Sequence, residues 1–347
     1  MNKTFKFFAL AFFLFFLASC SLSKEYEVIY VDKPTEQMNH ESNRNHEHEI
    51  VIGLVPKIAN IPYFLAAKEG ALEAAKDLNV TVIYKGPSAA TAEEQIAVIH
   101  ELIEQKVDVI AVSANDPKKL GTVLQQAREK GIKVITWDAD TDAKYRDFFV
   151  NMVDAEQMGR HIMDLLALEM GERGKYVILT GSPTAANLNN WIRWLKVQQE
   201  EYYPELELLD VEYANEDIHK AYNLTVNLLK KYDDLKGIIG ISTVNPPAIA
   251  QALKDYGKSG DIKVVGTSTP NMTRPYLKED VLQTITLWSP QKLGYLTIAL
   301  AKNLVLEDLP YDGQFVENIG NISFDGDMVI MGQPIDFTKE NVDQYDF

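Results

Sequence analysis

The chain has 347 residues, 46% of them hydrophobic, with 34 basic and 50 acidic side chains giving a net charge of −16 at pH 7. That length supports one or two sizeable cores at roughly 100–200 residues per domain. So acidic a surface repels nucleic-acid phosphates and anionic lipid headgroups, so neither is an expected partner, and the single cysteine, Cys20, excludes an intramolecular disulfide or a cysteine-rich metal site.

Lys3 and Lys6 precede an apolar run from Phe7 to Leu17. The run falls short of the roughly 20 residues a membrane span needs but suits the core of a signal peptide. It ends in Leu17-Ala18-Ser19-Cys20, which resembles the bacterial lipobox, so residues 1–19 read as a lipoprotein signal peptide and Cys20 as the acylated N-terminus. Residues 20–49 read as a tether, because the stretch TEQMNHESNRNHEHE is polar and lacks apolar periodicity. His40, His46 and His48 lie in it, but a flexible segment offers no preformed metal geometry, and no metal or other cofactor is expected.

From Glu49 onward short apolar runs alternate with helix-length amphipathic segments. Strands are expected at 50–56, 80–84, 108–113, 132–137, 146–150, 175–181, 206–213, 237–241, 262–267 and 282–287. Helices are expected at 62–78, 92–106, 117–130, 154–171, 187–203, 217–232, 246–257, 272–279 and 290–305. Near-continuous apolar strands between helices imply parallel sheets covered on both faces. The rhythm breaks at 146–153 and restarts, so two doubly wound lobes are expected rather than one large sheet. The first would comprise 50–151 plus about 289–310, the second 152–288 plus about 320–347, with hinges near 150–153, 242–245 and 287–290.

Such sheets bind ligands beyond the carboxyl ends of their strands, so those positions supply the candidates. The first strand is followed by Lys57, Tyr63 and Phe64, a cation beside an aromatic pair, or alternatively a surface lysine and two core aromatics. The third ends at Ser113-Ala114-Asn115-Asp116-Pro117, where Asn115 and Asp116 are candidates for helix capping as well as ligand contact. After the fourth, Asp138 could accept two hydroxyl hydrogens in a charge-assisted way, while Trp137 is either a core residue or an apolar platform. Three acidic residues in five do not make an EF-hand, which also needs a glycine and a distal glutamate. In the second half, Asn187 and Asn189 open a helix and either cap it or reach into the cleft. Thr243 and Asn245 precede Pro246-Pro247, with Asn245 a possible cap. Ser268 follows the strand ending at Gly266, and Trp288 is either a stacking surface or interlobe packing.

These segments resemble the periplasmic sugar-binding proteins of the ribose-binding class, and within it the group containing rhamnose-binding proteins and autoinducer-2 receptors. The likeness runs from about residue 50 to the C-terminus and is carried by YKGPSAATAEEQ (84–95), VSANDP (112–117), ITWDADTD (135–142), STPNMTRPY (268–276), LWSPQKLGY (287–295) and FTKENVDQYDF (337–347). The resemblance implies two Rossmann-like lobes joined by three crossovers, closing on a monosaccharide-sized ligand that is delivered to an ABC permease and ATPase. It also implies that Lys57 and Asp138 match two ligand contacts of the autoinducer-2 receptors. Asn187 and Leu188 stand where those receptors carry aspartate and glutamine, Ile241 and Thr243 where they carry proline and alanine, and Ser289 replaces an aspartate. SANDP and WSPQKLGY resemble the rhamnose-binding branch more closely, so a rhamnose-like sugar is expected, with autoinducer-2 second.

An enzyme would need a nucleophile with its base, a metal cluster or a phosphate-cradling loop. Gly53 stands alone after the first strand, and His100, His161 and His219 fall inside expected helices, so no catalytic residue is expected. A regulator of the same fold would begin with a helix-turn-helix where this chain has an apolar leader. The expectation is therefore a monomeric, lipid-anchored solute receptor on the extracytoplasmic side of the membrane, touching that membrane only through Cys20. A quorum or chemotaxis receptor without transport is the alternative.

Overall fold

A computed structural model describes residues 49–347, so the leader, Cys20 and the three tether histidines lie outside the described residues. The first lobe is a sheet built on β1 (Val51–Val55), β2 (Thr81–Tyr84), β3 (Val109–Val112), β4 (Lys133–Trp137) and β5 (Phe149–Asn151), in the spatial order β2-β1-β3-β4-β5. All these strands are parallel. Between them run α1 (Pro62–Leu78), α2 (Ala92–Glu104) and α3 (Gly121–Glu129). The second lobe repeats the pattern with β6 (Gly174–Thr180), β7 (Leu206–Tyr213), β8 (Leu235–Ile241), β9 (Lys263–Thr267) and β10 (Thr284–Leu287), ordered β10-β9-β8-β6-β7. Its helices are α4 (Ala155–Met170), α5 (Ala186–Tyr202), α6 (Ile218–Lys231), α7 (Asn245–Asp255) and α8 (Pro270–Lys278). The expected α/β architecture of two doubly wound lobes is therefore present.

Local signals account for most of these boundaries. Thr91 caps α2, Asp154 caps α4 and Asp217 caps α6, each through a side-chain oxygen accepting a first-turn amide. Proline opens α1, α8 and α9 (Pro290–Val305), where its missing N–H costs nothing. α9 returns to the first lobe and packs on α1. That approach requires Gly70 and Gly294, since a Cβ on either would sit 1.9 Å from a carbonyl oxygen of the opposite helix. One hydrophobic cluster fills the α1–α9 face of the first sheet and continues into the second lobe. Another fills the α2–α3 face.

Two sequence-based assignments need correction. Residues 320–347 do not all belong with the second lobe: β13 (Ser323–Asp325) and β14 (Met328–Ile330) extend the first sheet, with β14 parallel to β5. Only β15 (Ile335–Phe337) joins the second sheet, antiparallel to β10. The short pair β11 (Phe315–Val316) and β12 (Gly320–Asn321) forms a separate hairpin. The hinge expected at 242–245 is a loop within the second lobe, joining β8 to α7. The chain changes lobes after β5, after β10 and between β14 and β15. The first and last of these crossovers lie side by side, with the amides of Met331 and Gly332 donating to the carbonyls of Asn151 and Met152.

Candidate functional site

The carboxyl ends of the two sheets face each other, and the space between them is a cavity of about 380 Å³. From the first lobe it is lined by Lys57, Ile61, Tyr63, Phe64 and Asp138. The second-lobe side contributes Asn187, Leu188, Trp191, Glu216, Ser242, Thr243 and Thr267, with Leu287 and Trp288 at the β10 crossover.

Asp138 organises the first-lobe wall. It sits one residue past β4 with φ of 60°, in the left-handed region that a non-glycine residue adopts at a cost and that recurs at functional sites. Its amide is held by the Val150 carbonyl at 3.2 Å, which ties that conformation to β5. Oδ1 accepts from the Tyr63 hydroxyl at 3.0 Å and Oδ2 from the Ser113 hydroxyl at 2.5 Å. Lys57 Nζ lies 3.4 Å from Oδ2, both side chains being almost fully buried. The same ammonium donates to Asn187 Oδ1 at 2.8 Å, so a single cation links the two lobes. Thr184 adds a second interlobe bond, its hydroxyl donating to the Asn115 carbonyl at 2.8 Å.

Tyr63 takes a hydrogen bond from Trp288 Nε1 at 3.1 Å. Burial first, and the Asp138 charge second, push its pKa well above the usual tyrosine value, so it stays a neutral donor. Tyr63, Trp288 and Trp191 form an edge-to-face series with centroids 6.0 and 5.7 Å apart. This wall offers apolar faces beside hydroxyl-binding groups, a combination suited to a polyol ring.

Glu216 faces this network from the loop after β7. Burial raises its pKa, against the pull of the Lys57 charge and the Ser242 hydroxyl, with the Asp138 charge adding to the rise. Among the described residues no group of three or more metal-binding side chains gathers, and no helix is long and apolar enough to cross a membrane.

Of the sequence candidates, Lys57, Tyr63, Phe64, Asp138, Asn187, Thr243 and Trp288 line the cavity. The other five do not. Trp137 has no exposed surface, donates to the Ala111 carbonyl and packs edge-on against Phe64, so it is core rather than lip. Asn115 supports the site from behind, its amide donating to the carbonyls of Lys57 and Thr91. The fully buried Gln95 holds the same loops by donating to the carbonyls of Pro56 and Ser113. Asn189 donates to the Pro183 carbonyl, and Asn245 reaches back to the Ile241 carbonyl. Ser268 donates to the Thr243 carbonyl at 2.5 Å. As expected for capping, Asp116 accepts from the amides of Lys118 and Lys119, although it caps the turn before α3 and not the helix itself.

Among the polar and aromatic lining residues, sequence reasoning missed Trp191, Ser242, Glu216 and Thr267. Trp191 shares a helical face with Asn187, four residues earlier. Ser242 directly follows β8, and Glu216 follows β7 by three residues, so the strand-end rule applied to every strand would have found both.

Residues 52–308 match the family model described as periplasmic binding protein domain. The chain is 23% identical to the ribose import binding protein of Bacillus subtilis over 293 residues, 84% of this chain and 90% of that protein. It is 29% identical to an ABC transporter solute-binding protein of Clostridium phytofermentas solved with bound L-rhamnose, with a TM-score of 0.81 over 85% of this chain and 98% of that one. LsrB of Clostridium saccharobutylicum, solved in complex with AI-2, gives the same TM-score at 24% identity over 86% of this chain and all of that one, a likeness of fold. The two-lobed cleft and these matches agree: the chain belongs to the periplasmic binding protein domain family, which is made of solute-binding proteins and not enzymes.

Proposed function

We propose that this chain is a lipid-anchored extracytoplasmic receptor that captures a small neutral sugar of the rhamnose type and presents it to an ABC permease and its ATPase. The observation that carries this reading is the interlobe cleft joining the Lys57–Asp138–Tyr63 network to the Trp191–Trp288 wall. Charged hydrogen-bonding groups on one side and flat apolar faces on the other suit a ring with hydroxyls at its edge. Ligand contact with both lobes stabilises the closed form by the difference in affinity between closed and open states. L-rhamnose in the Clostridium phytofermentas protein supports the ligand class. Lys57 and Asp138 favour autoinducer-2 as the second reading, against the departures at Asn187, Leu188, Ile241, Thr243 and Ser289.

The test is a thermal-shift screen of the mature chain against pentoses, hexoses, deoxyhexoses and autoinducer-2, with calorimetry on every hit. A saturable shift with L-rhamnose or a related sugar is the expected result, and a shift with autoinducer-2 alone would transfer the reading to signal capture. Lipid attachment is tested separately by comparing the membrane fraction of the native chain with that of Cys20→Ala. Loss of lipid-mediated retention is expected in the variant.

A further inference from the structure

Within that sugar-binding reading, we infer that Glu216 is a specificity-determining residue whose carboxylate accepts a hydroxyl of the bound sugar. Glu216 lines the cavity and forms no ion pair among the described residues, although Lys57 is near enough for its charge to act on it. Among the described residues the hydroxyl facing it is that of Ser242, which makes no hydrogen bond of regular geometry. Glu216 is half-buried, and a carboxylate drawn partly out of water with so few partners is costly.

The backbone is arranged to hold it there. Asn215 and Glu216 have φ of 57° and 60°, two successive left-handed residues, which a non-glycine pair adopts at a cost. Gly181, at the end of β6, leaves the room: a Cβ there would stand 2.4 Å from Glu216 Oε1. Three features, an unusual turn, an absent side chain and a carboxylate with vacant acceptor sites, converge on one point in the cavity.

The chemical consequence is selectivity. Asp138 uses its oxygens on Tyr63, Ser113 and Lys57, so it is largely committed before any ligand arrives. Glu216 carries the open acceptor capacity, and it comes from the opposite lobe. A neutral sugar with a hydroxyl aimed at Glu216 repays its burial and does so only when the lobes are closed. A ligand lacking that hydroxyl leaves the carboxylate unpaired, and an anionic sugar sets its own charge against both Glu216 and Asp138.

The experiment is calorimetry of L-rhamnose, and of the deoxy analogues that each lack one ring hydroxyl, on the mature wild-type chain, Glu216→Gln and Gly181→Ala. Glu216→Gln is expected to weaken L-rhamnose binding by about tenfold or more, the usual scale for a hydrogen bond to a charged group. One analogue should bind wild type and Glu216→Gln equally, identifying the hydroxyl involved. Gly181→Ala, which displaces the carboxyl without altering its charge, should show the same loss with the same analogue dependence. Equal weakening of every analogue by Glu216→Gln, or no weakening of L-rhamnose, would overturn the role while leaving the sugar-binding reading intact. A wild-type chain that bound no sugar would overturn both.

Discussion

On the first-lobe side of the cleft, the polar groups around Asp138 are hydrogen-bonded to one another, with Tyr63, Ser113 and Lys57 each supplying a donor. On the second-lobe side, four buried side-chain oxygens at or just beyond the strand ends have no hydrogen-bond partner: Thr180 Oγ1, Ser242 Oγ, Asn245 Oδ1 and Thr269 Oγ1. Buried polar atoms are nearly always paired, and of these four Ser242 lines the cavity. Around Asp138 the first-lobe groups satisfy one another and present a fixed surface. The second-lobe wall presents the Ser242 hydroxyl, which has no regular partner, to the cleft. The same asymmetry bears on the resemblance, since the positions matching autoinducer-2 receptors, Lys57 and Asp138, lie on the satisfied side and the departures lie mostly on the other.

The largest expected effect breaks the satisfied side. Asp138→Ala strands Lys57, whose side chain is only 7% exposed, without its carboxylate. Removing one partner of a buried pair costs about 3–5 kcal/mol, so denaturant melts should show a marked loss of stability and calorimetry a loss of L-rhamnose binding of 100-fold or more (about 2.7 kcal/mol). A variant with native stability and affinity would remove Asp138 from the centre of this account.

Asn187→Leu acts across the comparison, since it cuts the bond from Lys57 that spans the lobes. Hydrogen bonds to charged groups contribute about 1.5–3 kcal/mol. The variant should therefore bind sugar about tenfold less tightly and, in small-angle scattering, remain more open at a given sugar concentration. Equal compaction of the two proteins would mean that this bond does not hold the closed form.

Ser242→Ala sharpens the contrast because its hydroxyl has no regular partner to lose. Melting should be unchanged or slightly raised, within about 0.5 kcal/mol, while sugar affinity falls several-fold. A clear drop in stability without any change in binding would place the hydroxyl among the structural groups of the lobe.

The smallest effect is pH-dependent and lies inside the second lobe. His161 on α4 faces Asp336 on β15 at 2.8 Å, and Thr286 donates to the same carboxylate oxygen. The hydrogen bond to Asp336 raises the His161 pKa above its usual 6.5 despite partial burial. Burial pushes Asp336 upward, but the bonds from His161 and Thr286 hold it below its usual 3.8. The histidine contribution is therefore fully present below about pH 6.5 and is lost as pH rises through the raised value. The aspartate contribution is present above about pH 3.8 and is lost as pH falls through the lowered value. Melting of the native chain should decline between pH 6 and pH 8 relative to His161→Gln, in which that part of the profile is flat. Parallel profiles would remove the pair from the stability of the lobe.

Local patterns made most of the architecture legible. β7 and α9 fall at the expected residues, 206–213 and 290–305, and most of the other strands and helices from β1 to α9 lie within two residues of expectation. Apolar runs, proline at helix starts and oxygen-bearing caps act over a few residues and are written in the sequence. β11 to β15 were not legible, because strands of two or three residues carry no periodicity and their pairing is chosen by whichever sheet edge they reach.

The candidate site divides along the same line. Lys57, Asp138, Asn187 and Trp288 could be nominated because a parallel sheet places strand-end residues at its ligand-binding rim. Whether a nominated side chain enters the cavity was decided by its neighbours: Trp137 found the Ala111 carbonyl, Ser268 the Thr243 carbonyl and Asn115 the Lys57 carbonyl.

The sequence by itself determined two doubly wound lobes and the nomination of Lys57 and Asp138 as strand-end residues, since alternating strand and helix patterns are set by near neighbours in the chain. The tertiary structure alone decided the place of the third crossover, the Lys57–Asp138 pair, the bond from Lys57 to Asn187 and the position of Glu216 in the cleft. The partners in each lie far apart along the chain, and only packing within and between the lobes brings them together.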